Sequence, residues 1–179
     1  VRPARQFSRL SKVYLPHTVL GADLLVSMPK LKTHHWTGAT LAMKNLFGVV
    51  PGAVYGWPKN VLHWAGIHEC IADLHAFFPR QFALVDGIVG MEGNGPIQGT
   101  PKAAGVLVAG CDPVAVDATC CRIMRIDPGK IEYLRIAGSS RPDAHWIERD
   151  IRQIGAAVSA VATPFELPPD LQALRTGEA

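Results

Sequence analysis

Apolar residues along this chain gather into short, dense runs separated by glycine- and proline-rich stretches. Three runs, "ADLLVSMP" (22–29), "FALVDGIVG" (82–90) and "AGVLVAG" (104–110), are compact and aliphatic. All three read as strands, the first of them buried, parallel and central. Other runs have helical character. "ATLAMKNLF" (39–47) is made of good helix formers and stops at Gly48. "VLHWAGIHECIADLHAFF" (61–78) follows Asn60, a capping residue, and ends at Pro79. "DPVAVDATCCRIMRI" (112–126) opens with a cap and a proline at the first helical position. A shorter helix is expected over 129–138, another near 143–153, and a short strand at "KVYLP" (12–16). Strands alternating with helices predict an α/β fold, a mainly parallel sheet flanked by helices. The chain reads as a single domain over 1–179, with 155–179 a peripheral tail and no internal repeat.

The segments between these runs hold most of the chemistry. Lys30 to Gly38 is expected as a loop leaving the carboxyl end of the first strand, where α/β sheets place their ligands. It carries Lys30, Lys32, His34 and His35. The plain alternative is a solvated basic loop. Against that stands Lys44 in the apolar run "LAMKNLF". A lysine buried there would have its pKa lowered and become nucleophilic toward an acyl or carbonyl group. "GVVPGAVYGWPK" (48–59) is a long Gly/Pro loop of the kind that is often functional. It leads to His63, whose imidazole suits metal ligation or proton transfer but equally suits a helix rim. His68 and His75 share a helix face and find no carboxylate spaced to complete a metal set. Asp86 and Glu92 lie in or beside the glycine-rich stretch 87–99, which is either a ligand-approaching loop or an ordinary hairpin. A strand follows it rather than a helix, so the dinucleotide fingerprint does not apply. Asp117 sits inside an apolar helix and needs a partner, for which Lys30 or Lys44 is a candidate.

Charge and cysteines narrow the classes. A net charge of +3 over 179 residues gives no strong basic excess, which argues against nucleic acid as the partner. With 48% hydrophobic and 18% charged residues, the chain can bury a core and does not read as disordered. There is no membrane-span-length apolar run and no visible secretory signal, so the cytoplasm is the expected location. Cys70, Cys111, Cys120 and Cys121 include no Cys-x-x-Cys pair, so no iron–sulfur ligand motif is present and the thiols read as reduced core residues. The chain starts at Val1 and reads as a piece of a longer protein.

The stretches "ADLLVSMPKLKTHHWTGATLAMKNLFG", "HWAGIHECIADL", "LVDGIVGMEGNGPIQGTPK" and "AGCDPVAVDATCCRIM" together resemble the bacterial and archaeal family called domain of unknown function 362. The resemblance spans roughly residues 20–138. It implies that an N-terminal portion is missing. Some family members carry a ferredoxin-like iron–sulfur segment, which implies a possible iron–sulfur domain or partner outside this chain. A more remote similarity is to the nickel-pincer lactate racemases. His34, Gly38 and Lys44, followed by Pro51-Gly52 and His63, repeat the order of a racemase motif. That similarity implies Lys44 as the tether of a nickel-pincer-like cofactor, His63 as a metal ligand and His34 as an acid–base group. Where the racemases have Gly-Gly-Arg before the lysine, this chain has Leu41-Ala42-Met43; what carries over is the architecture rather than the reaction.

The leading expectation is an enzyme of redox or hydride-transfer type that binds an anionic small molecule or cofactor, with a metal in play. His34 and Lys44 are its expected catalytic residues. Lys30, Lys32, Gly38, Lys44, Asp86 and Glu92 are its expected binding residues, and His63 its metal ligand. The alternatives are an iron–sulfur-associated electron-transfer module and a non-catalytic binding domain. The last would show His34, Lys44 and His63 pointing in different directions.

Overall fold

The computed structural model describes residues 1, 6–57, 59–140 and 145–177. Its sheet is built around one long strand, β4 (Gln81–Asn94). Along one edge β4 pairs antiparallel with β5 (Gln98–Gly110). The other edge carries two short strands in tandem, β1 (Leu25–Ser27) and β2 (Lys30–His34), both parallel to β4. The break between them falls at Pro29, which has no N–H to offer the ladder. Its carbonyl accepts from Asp86 N at 2.9 Å, and pairing resumes at Lys30. β3 (Gly38–Thr40) pairs antiparallel with β2. The expected α/β class holds: a mixed sheet, with its parallel ladders in the middle, flanked by helices.

Two local expectations are corrected here, and one open alternative is decided in favour of the hairpin. Lys30–His34 is a strand rather than a loop, because the open edge of β4 supplies backbone partners that sequence pattern cannot foresee. The first strand is neither fully buried nor flanked on both sides. Among the described residues β1 pairs only with β4, and Leu24, Val26 and Met28 are exposed because the helices cover one face of the sheet. The glycine-rich stretch forms the arms of the β4–β5 hairpin, so Asp86 lies mid-strand and Glu92 faces Thr100 across the ladder.

The helices pack on the inner face, where Leu31, Ala83 and Val85 of the sheet join Met43, Ile71 and Val114 in one core. A first turn, α1 (His17–Leu20), follows the "KVYLP" segment, which is not a strand; Val13 and Leu15 anchor it individually. α2 (Ala42–Asn45) runs into a 3-10 turn at Leu46–Val49 and is shorter than expected, because residues 39–40 belong to β3. α3 (Gly52–Tyr55) is a single turn inside the expected loop. The expected helix over 61–78 is two, α4 (Asn60–Trp64) and α5 (Ile67–Ala76). Gly66 stands between them at φ +105, a backbone conformation closed to residues with a Cβ, and it breaks the helix. Lys59, at φ +69, occupies the cap position expected for Asn60. α6 (Pro113–Ile123) starts as expected, with Asp112 accepting from Val114 N at 2.9 Å. α7 (Glu132–Ser140) and a last turn, α8 (Val158–Val161), complete the set. Of the helix expected near 143–153, residues 143–144 lie outside the described residues, and the rest shows a single 3-10 turn at Glu148–Asp150.

The segment 155–177, expected as a peripheral tail, is mostly exposed but is anchored in the core at one short stretch. Phe165 is 0% exposed, and Leu167 is also buried. Thr163 N and Phe165 N donate to the carbonyls of Ile123 and Met124, and Gly93 N donates to Glu166 O at 2.8 Å. Each buried side chain contributes about 1.5–3 kcal/mol, which holds the strap across the end of α6 and the hairpin. Phe165→Ala is therefore expected to lower stability by about 3–5 kcal/mol in urea unfolding. A change within about 0.5 kcal/mol, as at an ordinary surface position, would mean that the strap is not part of the core.

Candidate functional site

The site is organised by α2, which is too short to be stable alone. Its N-terminal amides are held by a side chain from another helix. Asp117, 0% exposed on α6, accepts from Ala42 N at 2.7 Å and Met43 N at 3.0 Å. The expected partner, Lys30 or Lys44, is thus replaced by backbone N–H groups that would otherwise be buried without an acceptor. From the sheet side, Ser27 Oγ donates to Ala42 O at 2.9 Å and accepts from Asn45 Nδ2 at 3.1 Å. Burial raises the Asp117 carboxyl to about 7, against the lowering effect of the two amides.

Held this way, α2 buries Lys44 to 9% exposure. Its Nζ sits 3.8 Å from the centre of the Phe47 ring, a cation–π contact. Among the described residues it meets no hydrogen-bond acceptor. From Phe47 a run of rings leads back to the β2–β3 turn. His63 lies 5.9 Å from Phe47, Trp36 4.8 Å from His63, His35 5.3 Å from Trp36, and His34 is stacked 4.9 Å from His35. Lys44 and His63 both act on His34 electrostatically, which closes the circuit. The three expected centres, His34, Lys44 and His63, are thus linked through one run of ring contacts beside the carboxyl end of β2.

Hydrogen bonds assign the imidazoles different roles. His34 Nδ1 faces two backbone amides, Trp36 N at 3.0 Å and Thr37 N at 3.4 Å. It must accept, so the proton sits on Nε2. His63 Nδ1 is 3.0 Å from Lys59 O, and His35 Nδ1 is 2.7 Å from Gly95 O. Both must donate there, which leaves each Nε2 with a free lone pair. Burial, then Lys44, His35, His63 and Lys32, push His34 down to about 3. The ring is neutral at physiological pH, a donor rather than a titrating acid. Burial, then Lys59 and Lys32, bring Lys44 down to about 8. His63 is lowered by burial and by its cationic neighbours, against the raising effect of its bond to Lys59 O.

Lys32 joins this cluster; its ammonium reaches Pro96 O at 3.4 Å. His35 belongs to it as well, as do Lys59, Trp36 and Phe47, which were not singled out from sequence. The spacing of Lys59 and His63, one helical turn apart, was the available signal for Lys59. The other expected binding residues stand apart. Lys30 and Asp86 pair with each other at 2.7 Å in an exposed bridge. Glu92 accepts from Glu166 N at 2.9 Å and lies 3.4 Å from Lys102 Nζ. Gly38, at φ +78, closes the β2–β3 turn, and a Cβ there would lie 2.6 Å from Ile131 Cδ1. It makes room for the core rather than for a ligand. Cys70, Cys120 and Cys121 are buried free thiols, with burial raising their pKa values.

The chain matches the family model described as a domain of unknown function, DUF362, over residues 2–122. That span takes in the whole cluster together with Asp117. The chain belongs to the DUF362 family. This DUF362 chain is also 31% identical, over 135 residues, to the thylakoid-associated protein sll1697 of Synechocystis. The match covers 73% of the chain and 41% of that protein, so the chain spans about two fifths of the length of the curated relative. No solved structure matches. Neither match carries the similarity to the nickel-pincer racemases, and the relative's name gives the cytoplasmic expectation no support. Among the described residues, no helix is long and apolar enough to cross a membrane.

The His34 assignment fixes a sign. Its folded-state pKa lies below the ordinary 6.5, so the unfolded chain takes up the proton first. Its contribution to stability is complete above about pH 6.5 and is lost as pH falls toward 3. Relative to His34→Gln, the wild-type urea midpoint is expected to fall progressively over that window. Parallel midpoints for the two proteins would refute the buried neutral imidazole.

Proposed function

We propose that this DUF362 domain forms part of an enzyme site that binds an anionic small molecule or cofactor and presents Lys44 to it as a reactive amine. One observation carries the reading. Lys32, Lys44 and Lys59 converge with three imidazoles, and among the described residues none of the three lysines has a carboxylate within ion-pair distance. Like charges gathered in a partly desolvated place repel one another. An entering carboxylate or phosphate relieves that repulsion and takes up ammonium donors that the protein leaves available. Lys59 spends one donor on Phe47 O and Lys32 one on Pro96 O, out of three each.

The chemistry of the donors bears on the other expectations. No group of three His, Cys, Asp or Glu side chains among the described residues could hold a metal. A metal held by these side chains alone does not fit. His63, with its free Nε2, could only complete a sphere supplied by a cofactor or by residues outside this chain. Lysine and imidazole carry no hydride, so hydride transfer would likewise depend on an external carrier. The convergence of His34, Lys44 and His63 counts against the purely structural reading of the basic segment.

Competitive acetylation tests the reading. Lys44 is expected to react as an amine with a pKa of about 8, ahead of exposed lysines near neutral pH, and inorganic phosphate is expected to protect it. Lys32→Gln is expected to weaken that protection about 10-fold, the loss of one charge-assisted hydrogen bond of about 1.5 kcal/mol. A Lys44 that reacts like a surface lysine and is indifferent to phosphate would overturn the proposal.

A further inference from the structure

The substrate class can be narrowed beyond "anion", on the basis of the proposed anionic site. We infer that the cluster takes a small oxo acid, a carbonyl compound bearing a carboxylate, and that Lys44 Nζ condenses with the carbonyl carbon to form an imine.

Three features of the cluster call for a carbonyl. The first is the unpartnered amine: Lys44 Nζ has an aromatic face on one side and no protein acceptor among the described residues. The second is His34. Among the three imidazoles it alone has its free ring nitrogen protonated, because two backbone amides occupy Nδ1. A neutral N–H is suited to polarising a carbonyl oxygen, and Lys44 is the charged neighbour that acts on His34 most strongly. The third is the opposite polarity of His35 and His63, whose Nδ1 atoms donate to carbonyls and whose Nε2 atoms are bases. A bare phosphate or carboxylate would be repelled by those lone pairs and would use only the lysines. A carbonyl compound with an acidic group sets its carboxylate at Lys32 and Lys59 and its carbonyl between Lys44 and His34, and leaves the His63 lone pair to serve as a base. Acyl transfer to Lys44 would leave a stable amide, whereas an imine reverses.

The step balances without an outside reagent. The neutral amine attacks the carbonyl carbon and the π pair moves to oxygen; one nitrogen proton passes to a base, a role open to His63 Nε2, and from it to that oxygen, giving the carbinolamine. The second nitrogen proton then follows to the oxygen, the C–O bond breaks and water leaves. The net change is amine plus ketone giving imine plus water.

Borohydride trapping reads this directly. The protein carrying this domain is incubated with pyruvate and sodium borohydride, and its peptides are weighed. One reduced pyruvate is expected on Lys44 and none at position 44 in Lys44→Arg, which keeps the charge but cannot condense. His34→Gln preserves an acceptor for the two amides and an N–H donor, so it should trap within about 10-fold of wild type. His34→Phe removes the donor and should trap roughly 10²-fold more slowly. Phosphate protection of Lys44 should survive in both His34 variants, which shows that they fold. No adduct on Lys44, or labelling spread equally over surface lysines, would overturn the inference. If phosphate still protects Lys44 in that case, the anion site stands without carbonyl chemistry; if it does not, both readings fall. Trapping with dihydroxyacetone phosphate but not pyruvate would overturn the carboxylate assignment.

Discussion

The carboxylate of Asp117, accepting the amides of Ala42 and Met43, is the contact on which the rest of the site depends. A four-residue helix has no cooperative stability of its own, and the amides that open it lack intrahelical partners. A buried acceptor from α6 satisfies two of them and fixes where the helix begins. Ser27 and Asn45 fix its other side to β1. Sheet, α2 and α6 are thereby locked together around one lysine. The cost is a desolvated carboxylate, visible in a pKa raised to about 7.

That frame explains why a lysine sits where solvation would not put it. Burial is the largest influence on Lys44, with Lys59 and Lys32 adding to it, and all three disfavour the ammonium form. The imidazoles nearby do not compensate, because backbone carbonyls and amides have already committed one nitrogen of each. Backbone geometry at the β2–β3 turn and at the start of α4 thus decides which ring gives and which takes a proton. Such preorganisation matters more to reactivity than the identity of the residues alone.

Much of this could be read from residue order. Asp-Pro at the start of α6, the apolar runs that became β4 and β5, and the oddness of a lysine in "LAMKNLF" are local signals, and the structure agrees with each as strand, cap or buried side chain. What sequence missed is non-local. Lys30–His34 looks like a basic loop until β4 offers it a free edge. Asp117 looks like half of an ion pair until α2 presents its amides from 74–75 residues away. Lys30 and Asp86 both look like ligand-binding groups, yet they neutralise each other. Lys59 looked like an ordinary loop residue, although its carbonyl orients His63 and its ammonium faces the site. The strap at 163–167 was hidden by the proline-rich composition around two buried apolar residues.

The central claim is that a buried carboxylate holds a lysine in a cationic, desolvated place and so keeps its amine partly neutral. An NMR titration of the Lys44 ε-position, in wild type and in an Asp117→Ala protein shown by its amide spectrum to be folded, tests it most directly. The account predicts a midpoint of about 8 in wild type, moving back toward 10.5 once α2 is released. A wild-type midpoint at 10.5, or a depressed one that Asp117→Ala leaves in place, would contradict it.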